Sequence, residues 1–237
     1  MTTSASNQNL NTREVWEKEF EADGFWEKTS GREQTRMFAK RFHRHIKVPL
    51  DGKFSILDVG CAVGDALPVW RKHYPMAELH GMDVSQRAIE RATKEYGSIA
   101  RFQQGGFNDI TGHFDVMYCC NVLEHFENHV EIARTLLQHC SILYIMTPYA
   151  EVSVKGRQLS ITHPEAMHVA TFLDGTFDEM AQNEGAEVSV KVIRTPVAWG
   201  PSFPVEFLWH VHYMLGKIHA PSPPRRQIIY TLSRRNR

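Results

Sequence analysis

Leu57-Asp58-Val59-Gly60-Cys61-Ala62-Val63-Gly64-Asp65 joins a short apolar run at 54–59 to a helical pattern at 65–73. Gly60 stands where the chain must turn out of a strand, and a side chain there would hold a ligand away from the backbone. The glycine spacing is G-x-x-x-G. A dinucleotide-binding turn has G-x-G-x-x-G and a P-loop ends in G-K-[ST], so this loop is not built for phosphate. An acidic residue closes the next apolar run, in Gly81-Met82-Asp83-Val84-Ser85. A carboxylate there can accept from both hydroxyls of a ribose. The two features together point to a nucleoside ligand without phosphates.

Working outward, strands and helices alternate. Strands are predicted over 54–59, 78–82, 100–103, 114–119, 142–146, 187–193 and 228–232. Helices are predicted over 65–73, from Ser85 as N-cap to Tyr96, over 130–139, and over 177–184 with a stop at Gly185. This pattern implies an α/β fold: a doubly wound, mostly parallel, seven-stranded sheet with helices on both faces, Rossmann-like. The ligand then lies at the carboxyl ends of the strands. Residues 1–11 read as a disordered tail, and 12–48 as an N-terminal helical arm, with Met37, Phe38 and Phe42 on one face of its second helix. The main domain covers 49–237. It carries an apolar insertion at 197–227, read as a substrate cap or a dimer contact.

Three motifs now stand in order. L-D-V-G-C-x-x-G is followed by G-x-D-x-S at the second strand end. Phe114-Asp115-Val116-Met117-Tyr118-Cys119-Cys120-Asn121-Val122-Leu123-Glu124-His125 then resembles the family's F-D-x-V…V-L-E-H. The chain is similar to the class I S-adenosylmethionine (SAM)-dependent methyltransferases, in the small-molecule branch that includes the ubiquinone-biosynthesis O-methyltransferases. The resemblance implies SAM as cofactor. It assigns Gly60, Cys61 and Gly64 to the loop under the methionine part, Asp58 to holding that loop, Asp83 to the ribose and Val84 to the adenine. Phe107 and Asn108 flank the adenine, with Asp109 an alternative acceptor for its amine. Cys120 offers a backbone carbonyl to the methionine ammonium. Ala62 stands where the family often has glycine, and alanine resists positive φ, so weaker cofactor binding is expected.

Methyl transfer is an in-line displacement for which the protein mainly supplies orientation. An oxygen acceptor also needs a base. The candidates are His125, His163 and His168, each with an alternative reading as a structural residue. No metal is expected: Cys119-Cys120-Asn121 lacks the paired acids of catechol-type enzymes, and the pairs His125/His129 and His210/His212 have no evident third ligand. Trp16, Trp26, Arg32 and Arg36 are placed near the ligand by location only, and the tryptophans read better as core. The 27 basic and 27 acidic residues balance, which argues against a nucleic-acid groove, and N-P-P-Y is absent after the fourth strand. No apolar stretch is long enough to span a membrane. The four cysteines show no C-x-x-C spacing, and a reduced, cytoplasmic protein is expected. The reading is therefore metal-independent methylation of a small molecule at oxygen, on a sugar, a glycan intermediate or a phenolic metabolite. The alternatives are an RNA or protein methyltransferase and a non-catalytic SAM-binding protein.

Overall fold

The computed structural model describes residues 11–21, 26, 31–48, 52–150, 168–194 and 226–234. Seven strands form one sheet in the order β3-β2-β1-β4-β5-β7-β6. They are β1 (Ser55–Val59), β2 (Glu78–Asp83), β3 (Arg101–Gln104), β4 (Phe114–Cys120), β5 (Cys140–Pro148), β6 (Ala186–Arg194) and β7 (Arg226–Arg234). The first five run parallel. β7 enters antiparallel between β5 and β6. Arg226 and Arg234 are the two ends of this strand.

The helices are α1 (Arg13–Glu19), α2 (Gly31–Phe42), α3 (Leu67–His73), α4 (Gln86–Tyr96), α5 (His129–Gln138) and α6 (Asp178–Glu184). α3 begins two residues later than its apolar pattern suggests. Pro68 lies in its first turn, where the missing N–H costs no hydrogen bond. Ser85 caps α4 by accepting from the Ala88 N–H at 3.1 Å. Gly185 ends α6 at φ +63, the left-handed stop that glycine makes cheap.

Each face of the sheet buries its own core. One face packs Leu143, Ile145 and Tyr230 against Leu136, Phe172 and Phe177. The other packs Val116, Tyr118 and Tyr144 against Phe38, Phe42 and Trp70. Phe42 lies edge-on to Tyr118 at 4.4 Å and to Tyr144 at 5.3 Å. The predicted apolar face of α2 thus anchors the N-terminal arm to the central strands. No helix of the described residues is long and apolar enough to cross a membrane.

Candidate functional site

The turn after β1 is held by its own backbone. Gly60 and Cys61 N–H both donate to the Met82 carbonyl, at 2.8 and 2.9 Å, and Gly64 N–H donates to the Cys61 carbonyl at 2.9 Å. Gly60 has φ +73, and a Cβ there would stand 2.4 Å from Val122 Cγ2. Only glycine fits both the dihedral and the contact. Ala62 also takes the left-handed region, at φ 50, which costs alanine about 1–2 kcal/mol. A hydrogen bond holds it there: its N–H donates to Asp83 Oδ2 at 2.9 Å. The departure from glycine is therefore tolerated by the loop. The Cys61 thiol is buried in the opposite core, and burial pushes it well up.

Asp83 closes β2 beside this turn. Its Oδ1 accepts from Ser85 N–H at 2.9 Å, so the carboxylate ties the glycine loop to the cap of α4. It is 7 % exposed and Asp58 is 3 % exposed. Burial raises the Asp83 carboxyl to about 6, against the N–H bonds from Ser85 and Ala62, with Glu17 adding repulsion. Burial, then the charge of Asp83, holds Asp58 well above the carboxylate range. An acid whose folded-state pKa is raised binds its proton more tightly when folded. The Asp83 contribution therefore favours the fold below pH 4 and is lost as pH rises through 6, by about 3 kcal/mol in all. Ribose recognition has the opposite sign, because the ionised carboxylate is the better acceptor. Calorimetry should show S-adenosylhomocysteine (SAH) affinity falling below pH 6, approaching about tenfold per unit.

Beyond β2, Val84 is half-buried, and its Cγ1 lies 4.0 Å from where a side chain at Gly106 would begin. Asp109 Oδ2 accepts from Gly106 N–H at 2.8 Å. Of the two candidates for the adenine amine, that commits Asp109 to the backbone and leaves Asn108 exposed. Phe107 packs edge-on to Phe126 at 5.1 Å.

The arm reaches this site through Glu17 and Phe20, which sequence reasoning did not single out, and through Trp16 and Trp26, which it did. Glu17 of α1 accepts from Ser85 Oγ at 3.0 Å, Gln86 N–H at 2.7 Å and Arg87 N–H at 3.3 Å. It places a second carboxylate at the N-terminus of α4, where the helix dipole favours negative charge. Phe20, with Trp16 and Trp26 against it, packs on Ala62, Val63 and Ala88. Arg32 and Arg36 bind Asp65, not the mouth of the site. Arg32 Nε lies 2.8 Å from Oδ2 and Arg36 Nη2 2.6 Å from Oδ1. Asn11, read with the tail, is buried and donates to the His125 carbonyl at 3.0 Å.

On the acceptor side, Cys120 ends β4 and Asn121 follows at φ 52. A 3-10 turn (Leu123–His125) then buries Glu124 and His125. His125 meets Trp16 edge-on at 5.0 Å and His168 edge-on at 4.9 Å. Two of the three proposed bases are thus together, and the tryptophan read as core packs on one of them. His163 and the segment 197–225 lie outside the described residues. Arg194 and Arg226 pair across β6 and β7 at this same end of the sheet, where Pro148 of β5 pairs with Gln227. The expectation of no metal meets a cluster: one donor atom each of Glu124, His125 and His168 lie within 4.8 Å of one another. The sequence signal was present in V-L-E-H, but its partner lies 43 residues on.

The chain resembles known proteins throughout this region. Trans-aconitate 2-methyltransferase of Deinococcus radiodurans is 25 % identical over 113 residues, 46 % of this chain and 44 % of that protein. Malonyl-[acyl-carrier protein] O-methyltransferase of Anoxybacillus flavithermus is 23 % identical over 170 residues, 72 % of this chain and 59 % of that protein. The mitochondrial ubiquinone biosynthesis O-methyltransferase of Saccharomyces cerevisiae is 28 % identical over 110 residues, 43 % and 34 % of the two chains. The aligned stretches thus span between about a third and three fifths of these curated relatives. The fold matches a plantazolicin methyltransferase in complex with SAH, at 20 % identity and TM-score 0.56, over 94 % of this chain and 95 % of that one. It also matches magnesium protoporphyrin IX methyltransferase from Synechocystis PCC 6803 with bound SAM, at 13 % identity and TM-score 0.57, over 98 % and 100 %. The methyltransferase domain family matches residues 22–189, well over half of the 237. With a glycine turn on β1, an acid closing β2 and V-L-E-H after β4 on such a sheet, this chain belongs to the methyltransferase domain family and has the class I SAM-dependent fold.

Proposed function

We propose that this chain transfers the methyl group of SAM to an oxygen of a small-molecule acceptor. The observation that carries the reading is Asp83, a buried carboxylate bonded to the Gly60–Ala62 turn and the α4 cap at once. A ribose seated there donates its hydroxyls to Asp83. Asn108 takes the adenine amine, Val84 and Phe107 flank the ring, and Asp58, Gly60, Cys61, Gly64 and Cys120 frame the methionine part. The methyl–sulfur bond breaks as the new oxygen–carbon bond forms, and SAH leaves as a neutral thioether. That displacement needs no metal. The acceptor's proton must still go, and His125 and His168 stand at the carboxyl end of the sheet to deal with it, with His163 a third candidate.

Names of two relatives specify O-methylation, and those of others carry trans-aconitate, plantazolicin and magnesium protoporphyrin. They support a small-molecule oxygen acceptor, of which a sugar, a glycan intermediate and a phenolic metabolite remain the classes named by the sequence reading. Balanced charge supports an acceptor other than nucleic acid. The four free cysteines support a cytoplasmic setting. Arg226 and Gln227, read with the insertion at 197–227, belong to β7, and the remaining 197–225 is proposed as a substrate cap or homodimer contact, because the strand residues flanking it, Arg194 and Arg226, pair at the carboxyl end of the sheet.

The test is radiolabelled SAM with a panel of hydroxyl, carboxyl, amine and RNA acceptors. Label on a small-molecule oxygen is expected. Label only on amine nitrogen, RNA or protein would overturn the acceptor class. SAH binding with no acceptor labelled would favour a non-catalytic SAM-binding protein.

A further inference from the structure

We propose that Glu124, His125 and His168 hold one divalent transition-metal ion beside the acceptor. This rests on the methyl-transfer reading for its purpose, though not for its existence. Consecutive residues of the 3-10 turn supply the carboxylate and one imidazole. The backbone delivers the third donor: the Glu124 carbonyl accepts from both Val169 N–H, at 2.8 Å, and Ala170 N–H, at 3.1 Å. Those two bonds fasten the residues that directly follow His168 onto the turn. The His125 and His168 rings stand at 77° with centroids 4.9 Å apart, edge toward face, so they do not stack.

The three donor atoms lie within 4.8 Å of one another. Donors on a common ion at about 2.1 Å stand about 3–4 Å apart, so side-chain movements of about 1 Å complete the set. Glu124 is 1 % exposed and His125 6 %. Two imidazoles and one carboxylate suit zinc, manganese, iron or cobalt, whereas calcium and magnesium prefer oxygen sets. Three protein ligands leave coordination positions open, as in catalytic sites. An acceptor hydroxyl taking such a position loses its proton to solvent more readily. Its oxygen then attacks the methyl carbon while the carbon–sulfur bond breaks toward sulfur. This gives His125 and His168 the task of holding the ion, in place of abstracting the proton themselves.

The test uses the untagged full chain with cobalt(II) as probe and no cofactor. Equilibrium dialysis should find one tight cobalt per chain, with ligand-field absorption. Quenching of Trp16 fluorescence should accompany it, since that ring lies 5.0 Å from His125. His168→Ala and Glu124→Gln should each weaken binding at least about tenfold. His129→Ala, whose ring packs on Phe172 at 4.8 Å, should leave it unchanged. No stoichiometric cobalt, or binding unaltered by His168→Ala, overturns the site. Should Glu124→Gln not fold, the less buried His168 decides the matter. SAH calorimetry on the same samples separates the two readings: SAH bound without cobalt sinks the ion alone, and cobalt bound without SAH sinks the methyltransferase reading alone.

Discussion

Asp83→Ala should reduce SAH affinity by about 100-fold or more, read by calorimetry at pH 7.5. Two ribose hydroxyls lose a charged acceptor, at about 1.5–3 kcal/mol each. Ala62 loses the bond that holds it at positive φ, so the turn under the methionine part loosens too. The companion variant, Asp83→Asn, separates binding from folding. It removes a buried charge that desolvation and Glu17 oppose, and leaves one oxygen for either Ala62 or Ser85 N–H. The gain and the lost hydrogen bond nearly offset. Its unfolding free energy should therefore stay within about 1 kcal/mol of the parent, while SAH binding still falls. Such a carboxylate is kept for its ligand at the expense of stability. Undiminished SAH binding in Asp83→Ala would remove the basis of the cofactor assignment.

Removing Arg32 and Arg36 together should lower the unfolding free energy by about 3–5 kcal/mol, because Asp65 would be left buried without a cation. Asp65 is 1 % exposed. Arg32 grips both its oxygens, Nε at 2.8 Å and Nη2 at 3.1 Å, and Tyr96 OH reaches Oδ1 at 2.7 Å. Arg32 carries more of the effect, since the Arg36 side chain is 39 % exposed and more screened by solvent. For a chain of this size, the melting temperature should drop on the order of 10 °C. Adding Asp65→Asn to the double variant should recover most of the loss, as the stranded charge goes. Failure of that rescue would mean that the arginines act through packing. Asp65 directly follows Gly64, so this cluster also joins the arm to the cofactor turn.

Much of the molecule was legible in local patterns. The period of the apolar runs marked all seven strands. Ser85 and Gly185 marked a helix start and a helix stop. Gly60 announced a turn that admits no side chain, and Asp83 a carboxylate at the next strand end. These are short-range matters, decided within a few residues by dihedral preference, capping and alternation. Strand ends were misjudged by a residue or two, as in β5 and β7, because pairing with neighbours extends a strand past its apolar core.

The sequence by itself determined a parallel α/β core and a nucleoside-shaped strand end, because backbone dihedrals and apolar periodicity are properties of neighbouring residues. Tertiary structure alone decided that Glu17 meets Ser85 across 68 residues, Arg32 meets Asp65 across 33, and Asn11 meets His125 across 114. It alone brought His168 to Glu124 and His125. Such meetings depend on which faces pack and on what buried charges require, and polar side chains carry no periodicity that names their partners in advance.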